Sequence, residues 1–280
     1  MKTFYLIIDE SGAKGYSKNI EKNPKEFGVM VGFLVPKNFI HIWRKKSDEH
    51  FKIHLQDEKV HITSLSNKEQ EKLRNKLYQI FTISGINWYY SAIYTQGFHE
   101  GAFDTKELLH SKLFSMIFTK ALYNLSLLKE AGDIKIHVIS DTLNQGEIKI
   151  FKRNIQDLIK IFTNTPREKE LTKYDKEKQT IIKAKSISKI TEKDKNFPVF
   201  KDIKLEISIE NSNLTFMADI LANSVYYYIK EYIKEKNNYP LLNSKQAIEQ
   251  HPLSNLVLGS PNELDKKALP DIYNIIYRKR

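Results

Sequence analysis

Thr3-Phe4-Tyr5-Leu6-Ile7-Ile8-Asp9-Glu10-Ser11-Gly12 is the stretch on which the fold turns. An unbroken apolar run rich in aromatic and β-branched residues predicts a central strand buried on both faces. The run stops on two adjacent acids and a Ser-Gly turn signal. In open α/β sheets, ligands bind beyond the carboxyl ends of the strands, where Asp9 and Glu10 would sit. The plain alternative is that these acids only open a loop.

Working outward, Ala13 to Lys25 reads as a loop, and Phe27 to Val35 as a second buried strand that can return antiparallel and is closed by Pro36. Residues 38–84 turn helical, in two amphipathic segments. The second runs from Asn67, a candidate cap with Gln70 three residues on, through Leu73, Leu77, Ile80 and Phe81. Ile86 to Tyr94 predicts a third strand, and Thr105 to Glu130 a long buried helix ended by Gly132. Ile134 to Asp141 is a fourth strand, again ending on an acid. A helix over 147–162 follows, then an alternating strand from Ile203 to Ile209 and a helix over 213–236. The tail carries four prolines and a candidate last strand at Ile272–Tyr277.

Arg167 to Lys195 holds ten Lys/Arg and six Asp/Glu. It interrupts the pattern and reads as a mobile or partly helical insertion. The whole is expected to be one domain over residues 1–280. It has a helical insertion at about 38–84, a charged insertion at about 164–200 and a C-terminal extension at about 237–280.

The chain contains no cysteine, which excludes disulfides, thiolate metal sites and cysteine nucleophiles and fits a cytoplasmic location. No signal peptide is evident, and no apolar run approaches the roughly 18 residues a membrane span needs. Lys and Arg number 45 against 34 Asp and Glu, a net charge of +11. That balance points to a polyanion, most often nucleic acid, or else to a solvated basic surface. A protein partner or self-association stays open. Phosphate-binding glycine loops and nucleophile elbows are absent, and nothing places a base beside Ser11.

Three strands followed by β-α-β, with acids ending strands one and four, resemble the ribonuclease-H fold. Four ordered motifs carry a closer resemblance: Asp9-Glu10-Ser11-Gly12, His61-Ile62-Thr63-Ser64-Leu65, Ser140-Asp141 and Ala218-Asp219-Ile220-Leu221-Ala222. Over roughly residues 3 to 230 they resemble the bacterial domain-of-unknown-function family numbered 3800. The chain departs from that family at Lys59, where an acid is usual, and at Met217, where Gln is usual; Glu58 lies next to the first. The resemblance implies a ribonuclease-H-like mixed five-stranded sheet with flanking helices and, by fold analogy, metal-dependent nuclease chemistry.

In such a sheet strands one and four are parallel neighbours about 4.8 Å apart, which sets Asp9 beside Asp141. Two buried like charges at that spacing need a neutralising partner. A hard cation, Mg²⁺ or Mn²⁺, with oxygen ligands supplies it, and such ions support phosphodiester cleavage. Asp219 is the third expected ligand, on a helix flank with Thr215, Ala222 and Asn223, where Ala218 and Ala222 permit close approach to the sheet. Asp141 and Asp219 could equally be a turn-opening and a solvent-facing acid. Glu10 and His61 are further catalytic candidates, His61 as ligand or proton-transfer group. Glu107, with His110 one turn on, is a positional candidate, although helix starts favour acids for dipole reasons alone. Lys183, Lys185, Lys189, Lys193 and Lys195 could hold phosphates. Tyr226, Tyr227 and Tyr228 could stack bases, but helical spacing forces at least one into the core. The expected function is a metal-dependent nuclease acting on RNA or DNA. The alternative is a non-catalytic nucleic-acid- or partner-binding module, an accessory subunit of a bacterial defence or toxin system.

Overall fold

The computed structural model describes residues 1–12, 26–51, 60–94, 106–127, 132–163, 165, 167–175, 179–188, 200–234 and 247–258. The expected loop 13–25, the motif neighbours Glu58 and Lys59, and the candidate strand at 272–277 lie outside them.

Five strands form one mixed sheet: β1 (Lys2–Gly12), β2 (Phe27–Pro36), β3 (Trp88–Tyr94), β4 (Asp133–Ser140) and β7 (Asp202–Ile209). Their order across the sheet is β3-β2-β1-β4-β7. β2 pairs antiparallel with β1 and β3, while β4 pairs parallel with β1 and β7. The helices are α1 (Ile40–His50), α2 (Asn67–Ser84), α3 (Lys106–Leu127), α4 (Gln145–Phe162) and α5 (Asn213–Lys234). This is an α/β fold in the ribonuclease-H-like arrangement, with α1 and α2 inserted between β2 and β3.

The apolar run of β1 follows from its central place. Leu6 and Ile8 enter a core shared with α3 and α4, and Ile7 enters a second core shared with α1, α2 and α5. Strand alternation thus divides β1 between two cores. α5 is buried from Leu214 to Val225 and packs chiefly on β1 and β2, with α1 and α2 along its flank. This places Asp9, two residues after Ile7, on the sheet face against α5.

Two expectations are corrected. α2 is capped by Ser66 rather than Asn67. The Ser66 hydroxyl accepts the Glu69 N–H, and the Glu69 carboxylate accepts the Ser66 N–H at 2.9 Å. Gln70 instead donates to the Leu65 carbonyl at 2.9 Å. Two neighbouring polar residues could both cap, and the reciprocal Ser66–Glu69 pair satisfies two backbone donors at once. The partly helical form expected of the charged insertion is not found over Arg167–Asp175 and Thr180–Ser188, which are strands. They form an antiparallel ribbon, β5 (Arg167–Asp175) with β6 (Thr180–Ser188), in which Thr172 opposes Lys183 and Glu170 opposes Lys185. Cross-strand pairs and the β-branched Thr180-Ile181-Ile182 favour the extended form over the helix that a charge count suggests. Residues 189–199 lie outside the described part. Among the described residues no helix is long and apolar enough to cross a membrane.

Candidate functional site

The β1–β4 register pairs Lys2 with Ile134 and Ile7 with Ile139. The pairing ends there, and Asp9 and Asp141 each follow its last pair by two residues. Asp9 continues the odd-numbered face of β1 that carries Ile7, the face toward α5. Asp219 comes from α5 itself. The three acids are 5%, 9% and 6% exposed, burial that carboxylates rarely reach without partners. The Asp9 carboxyl is pushed well above the usual range, first by burial and then by the charges of Glu10, Asp141 and Asp219. Three buried acids from three elements therefore share one electrostatic neighbourhood.

Each flank of this neighbourhood is held from outside. The Ile62 backbone N–H donates to Asp219 Oδ2 at 2.8 Å. His61 Nδ1 lies 3.8 Å from the same oxygen, with the imidazole about half exposed at the rim. Thr142 Oγ1 donates to Asp141 Oδ1 at 2.6 Å. α5 is aimed by its lead-in: the Glu210 N–H donates to the Ser140 carbonyl at 2.9 Å, and Nη1 and Nη2 of Arg44 both donate to the Glu210 carboxylate. Gly12 brings the end of β1 against α5. Its φ is +88°, and a Cβ there would lie 2.5 Å from both the Phe27 carbonyl oxygen and the Tyr226 ring. Only glycine fits such a position.

The structure thus brings Asp9, Asp141, Asp219 and His61 together. It does not bring Glu10 to the same face. Alternation turns Glu10 away with Met30, its partner on β2, whose side chain belongs to the α3–α4 core. The Glu107 side chain lies outside the described residues. His110 is buried and pairs with Glu147 at 3.2 Å, while Glu147 also accepts the Asn144 N–H at 3.0 Å in the capping box of α4. This pair ties α3 to the start of α4.

Sequence reasoning missed a polar track that leaves the acids along α5. Arg74 Nη1 donates to Asn223 Oδ1 at 3.0 Å, and the Arg74 guanidinium lies 5.0 Å from the centre of the Tyr227 ring. Tyr78 and Ser224 hydroxyls meet at 2.5 Å, and Ser224 Oγ lies 2.9 Å from His251 Nε2. The Leu253 N–H donates to His251 Nδ1, which sets the proton on Nε2, facing Ser224. Burial pushes the His251 imidazole down to about 3 and the Tyr78 hydroxyl up to about 12. A signal was present in α2: Gln70, Arg74 and Tyr78 recur every four residues beside the Leu73–Leu77 stripe. The tyrosine run divides as helical spacing requires. Tyr226 stacks on Phe27 at 4.7 Å between ring centres, and Tyr227 is 47% exposed.

The acids fit a hard divalent cation by chemistry. All three offer oxygen, and the crowding that favours a proton on Asp9 would favour a cation equally. Outer hydrogen bonds from Ile62 and Thr142 orient two of them, as such bonds orient metal ligands generally. Yet among the described residues no group of three or more His, Asp or Glu side chains is already converged on one coordination point.

No model of a known protein family matches the chain, and no curated protein matches it.

Proposed function

We propose that the protein is a divalent-metal-dependent nuclease that hydrolyses phosphodiester bonds of RNA or DNA. The observation that carries this reading is the burial of three acids from three elements, Asp9, Asp141 and Asp219, in one electrostatic neighbourhood beyond the paired ends of β1 and β4. The four-motif resemblance to the family numbered 3800 adds to it, as does the +11 charge.

Asp9, Asp141 and Asp219 would hold Mg²⁺ or Mn²⁺. Bound there, the metal would lower the pKa of a water and steady the leaving oxygen. The Ile62 N–H and the Thr142 hydroxyl keep Asp219 and Asp141 oriented. His61, half exposed beside Asp219, delivers or accepts a proton at the rim. Glu10 adds negative charge next to Asp9 from the opposite face. A chain without cysteine is compatible with work in a reducing cytoplasm.

A second reading is favoured by the acids not being converged into a three-donor set. It makes the protein a binding module without catalysis, serving nucleic acid or a protein partner within a bacterial defence or toxin system.

A time course with labelled single- and double-stranded RNA and DNA, in Mg²⁺, Mn²⁺ or chelator, decides between them. Cleavage that needs the metal supports the nuclease. Salt-sensitive binding without cleavage, and a melting temperature indifferent to Mg²⁺, supports the module.

A further inference from the structure

A groove of about 520 Å³ runs between α2 and α5, lined by Asn67, Gln70, Arg74, Asn75, Tyr227 and Tyr228, with Glu71 on one wall. Its volume falls within the roughly 300–1,000 Å³ of sites that enclose small organic ligands. Asp219, Asn223 and Tyr227 follow one another at four-residue steps on α5, so Tyr227 lies about 12 Å along the helix axis from Asp219. The α5 wall of the groove therefore begins about two helical turns from Asp219.

Its chemistry is mixed in a particular way. Arg74 supplies a cation whose guanidinium stands over the Tyr227 ring and is steadied by Asn223. Tyr227 keeps half its surface in solvent. Asn67, Gln70 and Asn75 bring amides, which both donate and accept. A cation for a phosphate, an aromatic face for a base and amides for base edges are the groups that recognise an unpaired nucleotide. A duplex offers bases already stacked and paired, so neither the ring nor the amides would find a partner.

We propose that the α2–α5 groove holds a single-stranded segment of nucleic acid, with Arg74 on a phosphate and Tyr227 stacked on a base, and leads it to the acids around Asp219. This rests on the nuclease reading for its direction, but the groove's binding can be measured without cleavage.

The test is fluorescence anisotropy in chelator, with a labelled oligouridylate, a labelled oligothymidylate and a duplex of mixed sequence. Wild type, Tyr227→Ala, Arg74→Gln and Asp9→Asn are compared, the groove variants checked for an unchanged melting transition and Asp9→Asn for one no lower than that of wild type. Tyr227 is exposed, so its truncation leaves the fold intact, and it guards against a folding defect in Arg74→Gln. Tyr227→Ala is expected to weaken single-strand binding by about tenfold or more. Arg74→Gln is expected to weaken it and to lower the salt slope by about one phosphate contact. Duplex binding should stay within about twofold for both, and Asp9→Asn should bind the single strands at least as well as wild type. Single-strand affinity unchanged in both groove variants would overturn the proposal, as would a wild type that prefers duplex or binds no nucleic acid. Groove variants that lose binding while cleavage proves metal-independent would refute the nuclease reading and leave the groove standing.

Discussion

Asp219 Oδ2 accepts the backbone N–H of Ile62 at 2.8 Å, joining α5 to the turn that precedes α2 in a buried hydrogen bond between residues 157 apart in sequence. Through this bond the two elements that build the rim of the site hold each other in register, and His61 is brought to the same carboxylate.

Removing the acceptor should therefore be felt in stability. Asp219→Ala leaves a buried N–H without a partner and is expected to cost about 1–3 kcal/mol. Asp219→Asn keeps an oxygen for Ile62 and should stay close to wild type. Urea denaturation at neutral pH checks both; equal loss in the two variants would mean that charge, not the hydrogen bond, holds the junction.

Asp9 should behave in the opposite sense. Its folded-state carboxyl titrates above the unfolded value, so the folded state holds the proton more tightly. Stability contributed by the protonated form is present at low pH and is lost as pH rises through the folded pKa. Asp9→Asn removes that loss and should stabilise the metal-free protein at pH 7 by about 0.5–2 kcal/mol. The gain should shrink toward pH 4, as melts across that range would show.

Lys120, on α3, is a second buried charge. Its amine donates to the Tyr90 carbonyl at 2.5 Å, and burial lowers it to about 8. The unfolded chain binds this proton up to about 10.5, so stability is lowest below pH 8 and rises between 8 and 10.5. Lys120→Met is expected to stabilise the protein at pH 7 by about 1–3 kcal/mol, less what the Tyr90 carbonyl loses. The difference should narrow by pH 10, measured in denaturant.

Gly12 makes the β1–α5 approach possible. With φ at +88° and backbone 2.5 Å from where a Cβ would sit, Gly12→Ala should destabilise by about 2 kcal/mol or more. Equilibrium unfolding should show it, and an unchanged midpoint would mean that the end of β1 can move aside.

Much of this was legible in the sequence because it is local. The run Phe4–Ile8 reads as a strand covered on both faces, and Asp9 and Asp141 each follow the last β1–β4 pair by two residues, so their nearness follows from strand order. Glu10 enters the candidate set by adjacency to Asp9, and alternation, which turns it to the face of Met30, is hidden by that adjacency. The Arg74–Asn223–Tyr227 contact joins positions 149 residues apart and is set by how α2 lies on α5, which no local pattern encodes. The ribbon over Arg167–Ser188 was obscured because its charges occupy both strands and mask the alternation.

The central claim is that Asp9, Asp141 and Asp219 act together on a metal. Cleavage of single-stranded RNA and DNA by wild type, Asp9→Asn, Asp141→Asn and Asp219→Asn, in Mg²⁺ or Mn²⁺ beside chelator, tests it most directly. The account predicts metal-dependent cleavage that each substitution lowers by more than the roughly 10–100-fold that losing an outer partner of a metal ligand costs, with folding intact. Wild type and variants equally inactive, with a melting temperature that Mg²⁺ leaves unmoved, would contradict it.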